Sequence, residues 1–285
     1  MIKEIDKSFL RKVFKKRRFW IKKGERGKLI IIGGNKKYSG APAFNGFGAM
    51  ACLRSGVDIV EVIAPKRVAD IIASFSPDLI TYPLNCDYLR LKHLNSILEE
   101  VKDKNAFVIG CGLGREKETL SLVKKFLKKM KIPGVVDADA LYAFNKNDKN
   151  FVLSNFVITP NEKEFGYIFN ESVSEDLNKR ISQVKKCAKE FKTTVVLKGA
   201  VGIVSNGEKV FVNKKNNVFM TKGGIGDILS GVIGSFIAQG NDLIDSSCAG
   251  LFLISKAGEL TRKKNSFVSS DLLEKISEIV DSFSF

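Results

Sequence analysis

The sequence predicts an α/β fold of three layers, a mainly parallel central sheet with an antiparallel edge and helices on both faces. Three observations carry that expectation. Short apolar runs alternate with helix-length amphipathic stretches over most of the 285 residues. Several of the apolar runs end in glycine, a carboxylate or an amide. No linker, internal repeat or low-complexity segment divides the chain, so residues 1–285 read as one domain with a basic segment at 1–22.

The elements follow in order. KLIIIGG (28–34) is a short apolar run closed by two glycines and reads as a buried strand; 43–54 has helical spacing; DIVEVIA (58–64) is a strand. LITYPL (79–84) reads as a further strand before a helical stretch at 89–103, and AFVIGCG (106–112) is a strand running into glycine. Residues 116–130 form an amphipathic helix, with Leu120, Val123, Leu127 and Met130 on one face and lysines on the other. GVVDAD (134–139) and FVITP (156–160) are strands, and helices follow at 161–169 and 176–191. TTVVLKG (193–199), VGIVSNG (201–207) and KVFVN (209–213) are strands joined by turns short enough for antiparallel pairing at a sheet edge. The last third is helical, at 227–239, 245–262 and 269–282.

Composition removes several function classes. No apolar segment reaches the roughly 20 residues of a membrane span, and the basic N-terminus lacks the apolar core of a signal peptide. Five scattered cysteines without a C-x-x-C pair indicate reduced thiols, so a cytoplasmic protein is expected. His93 is the only histidine and sits in a polar helical stretch, which argues against a structural zinc site and against Ser-His or Cys-His catalysis. The net charge of +16 comes from lysines spread along the chain. It suits a phosphate-bearing ligand, and no nucleic-acid motif accompanies it.

Glycines, carboxylates and amides gather at predicted strand ends: Gly33, Gly34, Gly110, Gly112, Asp137, Asp139, Thr159, Asn161, Lys198 and Gly199. In open α/β sheets ligands bind outside those ends. The stretch GGIGD (223–227) adds to this rim, directly before the apolar run ILSGVIGSFIA. A helix N-terminus leaves backbone N–H groups free, and glycine lets an anion come close to them. Such a stretch can cradle a phosphoryl group in transit, with Asp227 taking a proton from an attacking hydroxyl. It can also be a turn whose aspartate only caps the helix. The sequence has neither a G-x-x-x-x-G-K-[ST] loop nor a dinucleotide G-x-G-x-x-G after a strand.

The motif set resembles the ADP/ATP-dependent NAD(P)H-hydrate dehydratase family of the ribokinase-like superfamily. GGIGD is similar to that superfamily's G-[ST]-G-D element, and KKGERGKLIIIGGNKKYSGAP resembles the family's H-K-G-x-x-G-K…GG…YSGAP opening. VIGCGLGRE resembles GPGLG, VVDADAL matches DADAL, ITPNEKEF resembles TPHxxE, and VVLKGA with VNKKNNVFMTKGGIGDILSG resembles VLKGA and N-x-T-G-N…GGTGDVL. The resemblance runs from about residue 22 to the C-terminus. It implies a ribokinase-like fold and a repair reaction on hydrated NADH or NADPH, in which ADP or ATP phosphorylates the ring hydroxyl and phosphate then leaves. ADP or ATP and Mg²⁺ are the implied co-substrate and cofactor, and a homo-oligomer is the family pattern.

Residue by residue, the resemblance makes Asp227 the catalytic base and gives Gly224 and Gly226 the transferred phosphoryl group. Lys198, Gly199, Ala200, Val201 and Gly202 match the segment that holds the nucleotide's phosphates and ribose. Ala41, Gly112, Gly114 and Asn161 match the wall around the hydrated dinucleotide, together with Asp227. Glu164 and Asn217 match positions that organise the metal, Glu164 through water. The chain departs from the pattern at Lys22 and Asn161, where the family has histidine, and at Cys111, where it has proline. Lys215 and Asn216 replace Thr-Gly, and Phe219 stands where glycine is usual. Two other readings stay open: a ribokinase-like kinase that releases a stable phosphate ester, and a weakly active nucleotide-binding regulator.

Overall fold

The computed structural model describes residues 2–16, 19–38, 40–148, 153–214 and 217–283. The elements run β1 (Ile2–Glu4), α1 (Ser8–Val13), β2 (Lys28–Ile32), α2 (Ala41–Arg54), β3 (Ile59–Pro65), α3 (Lys66–Ala73) and β4 (Ile80–Leu84). Then come α4 (Leu94–Val101), β5 (Ala106–Ile109), α5 (Lys117–Lys129), β6 (Gly134–Val136), β7 (Phe156–Ile158), α6 (Glu162–Phe169), α7 (Leu177–Glu190) and β8 (Thr194–Leu197). β9 (Gly202–Ser205), β10 (Val210–Asn213), α8 (Ile225–Ala238), α9 (Leu243–Leu260) and α10 (Asp271–Ser282) follow, and two 3₁₀ helices occupy Leu91–His93 and Ala138–Ala143.

The strands form one ten-stranded sheet in the order β1-β10-β9-β8-β7-β6-β5-β2-β3-β4. Neighbours pair in parallel except where β9 meets β8 and β10, so β9 alone runs against the rest. The antiparallel turn-backs fall at the end of the sheet where the short loops put them. The outermost strand there is β1, which pairs in parallel with β10 and covers its free edge.

Strand period 2 sends alternate residues to opposite faces. On β2, Leu29 and Ile31 enter one core while Ile30 and Ile32 enter the other; on β5, Val108 and Phe107 divide the same way. The first core packs under α1, α2, α3, α8, α9 and α10, and the second under α4, α5, α6 and α7. α8 is apolar on all sides because it lies buried between the sheet and the helices α2 and α9. Gly231 makes that approach close enough: a Cβ there would lie 2.7 Å from the Gly48 carbonyl oxygen of α2.

Several elements depart from the sequence expectation. α3 has an apolar face, Val68, Ala69 and Ile72, too short to stand out beside the strand that runs into it. β1 and α1 lie within the segment read only as basic, where Phe9, Leu10 and Val13 are buried against the first core. α8 begins two residues earlier than expected, at Ile225, so Asp227 sits inside its first turn.

Candidate active site

The parallel strands all end at one rim, and the residues singled out there converge. Asp137 follows β6 and is 1% exposed, and Lys198 follows β8. The Lys198 ammonium donates to Asp137 Oδ1 at 2.7 Å and lies 3.8 Å from Glu164 Oε2 on α6. Asp227 arrives from the first turn of α8. The carboxylates of Asp137 and Asp227 and the Cys111 thiol lie within 4.8 Å of one another. Among the described residues the cation facing this group is the Lys198 ammonium, which lies between Asp137 and Glu164.

Local backbone geometry sets these positions. Ala138 adopts φ 48°, a left-handed conformation that costs a non-glycine residue roughly 1 kcal/mol. That turn sends Asp137 toward Lys198 and Asp139 the other way, to accept from the Gly114 N–H at 2.9 Å and the Arg115 Nε at 2.7 Å. Asp139 therefore pins the loop after β5. Gly224 precedes α8 at φ 96°, and a Cβ there would lie 2.5 Å from the Phe44 ring. At Gly226 a Cβ would stand 3.2 Å from Lys198 Nζ, so the ammonium lies directly against the start of α8.

The charges perturb one another. Burial, reinforced by the neighbouring Asp137 charge, pushes the Asp227 carboxyl up to about 6, against the pull of the neighbouring Cys111 thiol and of Lys198. Burial pulls the Lys198 ammonium down, but Asp137, Glu164 and Asp227 outweigh it and hold it above its ordinary value. Burial likewise raises the Glu164 carboxyl, with Lys198 pulling against it. The arrangement offers a base that titrates near neutrality, a fixed cation and a helix N-terminus at one point, which suits proton abstraction coupled to phosphoryl transfer.

The other expected residues fall around this centre. Gly112 lines a cleft of about 590 Å³ with Lys37, Tyr38, Gly40, Phe44, Arg115 and Asp139. Ala41 opens α2 beside it; Ser39 of the YSGAP stretch, with Lys215 and Asn216, lies outside the described residues. Gly199 and Ala200 are exposed, Val201 is half-buried, and Gly202 begins β9. Asn161 caps α6: its Oδ1 accepts from the Glu164 N–H at 2.9 Å while Glu164 Oε2 accepts from the Asn161 N–H at 2.8 Å. Asn217 is anchored elsewhere than Glu164: its Nδ2 donates to the Gly258 carbonyl of α9 at 3.4 Å, and its Oδ1 accepts from the Phe219 N–H at 3.0 Å. Phe219 packs against the first core. His93 only caps a short helix, its Nδ1 accepting from the Arg90 N–H at 3.0 Å.

Sequence reasoning missed four contributors. Asn45 of α2 is buried and donates to the Cys111 carbonyl at 3.2 Å. Phe44 packs over Gly224, and the Arg115 guanidinium stacks on Tyr142 at 3.6 Å from the ring centre. Arg180 of α7 pairs with Glu162 and backs the Gly199 loop, 3.3 Å from where a Cβ would project. Their partners lie 18 to 180 residues away in the sequence, and only the YSGAP and GCGLGRE motifs hinted at any of them, by proximity.

The family model for NAD(P)H-hydrate dehydratase matches residues 29–281. The chain is 33% identical over 285 residues to the ADP-dependent (S)-NAD(P)H-hydrate dehydratase of Nitrosopumilus maritimus, covering 99% of this chain and 98% of that protein. It is 35% identical over 266 residues to the bifunctional NAD(P)H-hydrate repair enzyme of Methanothermobacter thermautotrophicus, matching 91% of this chain and 50% of that one. The chain thus spans about half the length of the bifunctional relatives it matches. In fold it superposes on the Bacillus subtilis ADP/ATP-dependent NAD(P)H-hydrate dehydratase co-crystallised with ATP and Mg²⁺, with a TM-score of 0.85, 21% identity and 99% coverage of each chain. With its motifs in register over nearly the whole length, the chain belongs to the NAD(P)H-hydrate dehydratase family.

Proposed function

We infer that the protein repairs hydrated reduced nicotinamide dinucleotides, using ADP or ATP to turn hydrated NADH or NADPH back into NADH or NADPH. The observation that carries this reading is the Asp227 carboxyl, raised to about 6, in the first turn of α8 within one cluster with Asp137 and Lys198. Asp227 takes the proton of the ring hydroxyl as its oxygen bonds to the terminal phosphorus, and the phosphorus–oxygen bond to the nucleotide breaks with its electrons on the departing nucleotide's oxygen. Phosphate is then a far better leaving group than hydroxide. The ring nitrogen supplies the electron pair as the C–O bond breaks, and loss of a proton from the adjacent carbon restores the dihydronicotinamide.

Gly224 and Gly226 with the α8 N-terminus receive the phosphoryl group, and Lys198 balances its charge from a position fixed by Asp137. The loop of Lys198, Gly199, Ala200, Val201 and Gly202 takes the nucleotide. The hydrated dinucleotide occupies the cleft beside Gly112 and Gly114, with Ala41 and Asn161 at its wall. Mg²⁺ supplies charge neutralisation on the nucleotide phosphates when bound with them. Glu164, a buried carboxylate facing this cluster, is a hard oxygen donor of the kind that holds such an ion through water. Asn217, tied to α9, is read as a loop anchor. The reaction is placed in the cytoplasm, in keeping with cysteines that are all free thiols.

The test is turnover. Purified protein is mixed with hydrated NADH, Mg²⁺ and ADP or ATP, and the dihydronicotinamide absorbance is followed. Recovery that requires the nucleotide supports the reading and identifies which nucleotide serves. Nucleotide consumption that yields a stable phosphate ester, with no absorbance returning, would replace it with a kinase.

A further inference from the structure

Cys111 stands where the family pattern has proline, and it is the one thiol at the centre of the site. It is 3% exposed. Its backbone is fixed from two sides: the carbonyl accepts from the Gly34 N–H at 3.0 Å and from Asn45 Nδ2 at 3.2 Å. The side chain therefore projects from a rigid point at the end of β5 toward the first turn of α8. Cys111 Sγ lies 3.7 Å from Ser230 Oγ. The Ser230 hydroxyl proton is already donated to the Asp227 carbonyl at 3.0 Å. Across that contact only the thiol has a proton to give. The carboxylates of Asp227 and Asp137 both lie within 4.8 Å of the sulfur, and a carboxylate is a stronger acceptor than the Ser230 hydroxyl; Asp227 is the one on the same helix turn as Ser230.

We propose that Cys111 is a positioning residue for the reaction, its thiol donating a hydrogen bond to the Asp227 carboxylate and holding it at the start of α8. Burial keeps this thiol protonated, because it pushes Cys111 well above the ordinary thiol value and the Asp227 and Asp137 charges add to the push. The thiol is thus a donor and takes no part as a nucleophile. Asp137 just after β6, Asp139 in the following helix and Lys198 just after β8 are the charged groups that act on Asp227. Lys198 Nζ donates to Asp137 Oδ1. Cys111 then supplies the neutral donor that fixes the rotamer of the base.

This inference rests on Asp227 being the base, and the experiment separates the two ideas. Wild type, Cys111→Ala and Cys111→Ser are compared for kcat and for KM toward hydrated NADH and the nucleotide. Infrared spectroscopy then follows the S–H stretch of Cys111, assigned from the difference between wild type and Cys111→Ser, with and without Asp227→Asn. A single modest hydrogen bond corresponds to about threefold to tenfold in kcat. Cys111→Ala is expected to lose that much with both KM values within about twofold, Cys111→Ser is expected to recover most of it, and the band is expected to rise in frequency when Asp227 becomes Asn. Equal kcat in wild type and Cys111→Ala, a serine variant no better than alanine, or a band indifferent to Asp227→Asn would each overturn it. A wild type without turnover whose band still responds to Asp227→Asn would sink the dehydratase reading while upholding the thiol contact.

Discussion

Asp227 and Lys198 carry opposite risks for stability. The folded protein holds the Asp227 proton more tightly than the unfolded chain does, with a value near 6 against an ordinary 3.8. Its ionisation therefore works against folding: the cost is absent below about pH 4, grows as pH rises toward 6 and is complete above that. Asp227→Asn should abolish turnover, by roughly 10²- to 10⁴-fold for a general base. It should also raise unfolding free energy at pH 8 by up to about 3 kcal/mol, a gain that fades at pH 4. Urea titrations of both proteins at the two pH values check this. For the wild type, kcat/KM should fall as pH drops through about 6, since the base must be ionised. Lys198→Met leaves Asp137, 1% exposed, without its cation. A loss of about 3 kcal/mol is expected, and Lys198→Met with Asp137→Asn should be more stable than Lys198→Met alone. If the double variant is the less stable, the pair is not the reason. The motif residues Asp227, Lys198 and Gly226 are readable because chemistry restricts their type, whereas Asn45 and Arg180 look in sequence like any surface amide or cation.

At the scale of elements, α8 does two jobs with one sequence. In the proposed function its first turn receives an anion, while its remainder lies between the sheet and two helices. Gly231 meets the second demand. Gly231→Ala would press a methyl against the Gly48 carbonyl at 2.7 Å, and backbone cannot give way as a flexible side chain can. A loss of about 1–3 kcal/mol in a denaturant titration is expected, with the nucleotide still bound by the folded fraction. The α6 capping box ties fold to site in the same way, because Asn161 orders the helix whose Glu164 faces Lys198. The apolar run of α8 and the helix at 161–169 were legible in the sequence. α1 was not, since its short apolar face hides among lysines and is decided by the groove it fills on α9.

Across the whole molecule, the N-terminal arm closes the sheet at the end away from the loops around Gly112. Ile5, Phe9, Leu10, Val13 and Phe14 all join the first core, and β1 covers the edge of β10. Removing residues 1–14 should lower stability by roughly 3–6 kcal/mol after the saved ordering entropy is counted, and promote self-association through the bared edge. A lower urea midpoint with light scattering at modest concentration is the measure; an unchanged midpoint would show that the arm is only an appendage. The sequence by itself determined the layered α/β architecture, the direction of most strands and the rim on which the chemistry sits. It could do so because strand period, helix period and the residue types at strand ends are local properties of the chain. Only the tertiary structure decided that Asp137 is the counter-ion of Lys198, that a thiol stands beside Asp227, that Asn217 is tied to α9, and that residues 5–14 join the core. Those are contacts between residues 41 to 269 positions apart, fixed by how the two faces of the sheet fill, and no local pattern encodes them.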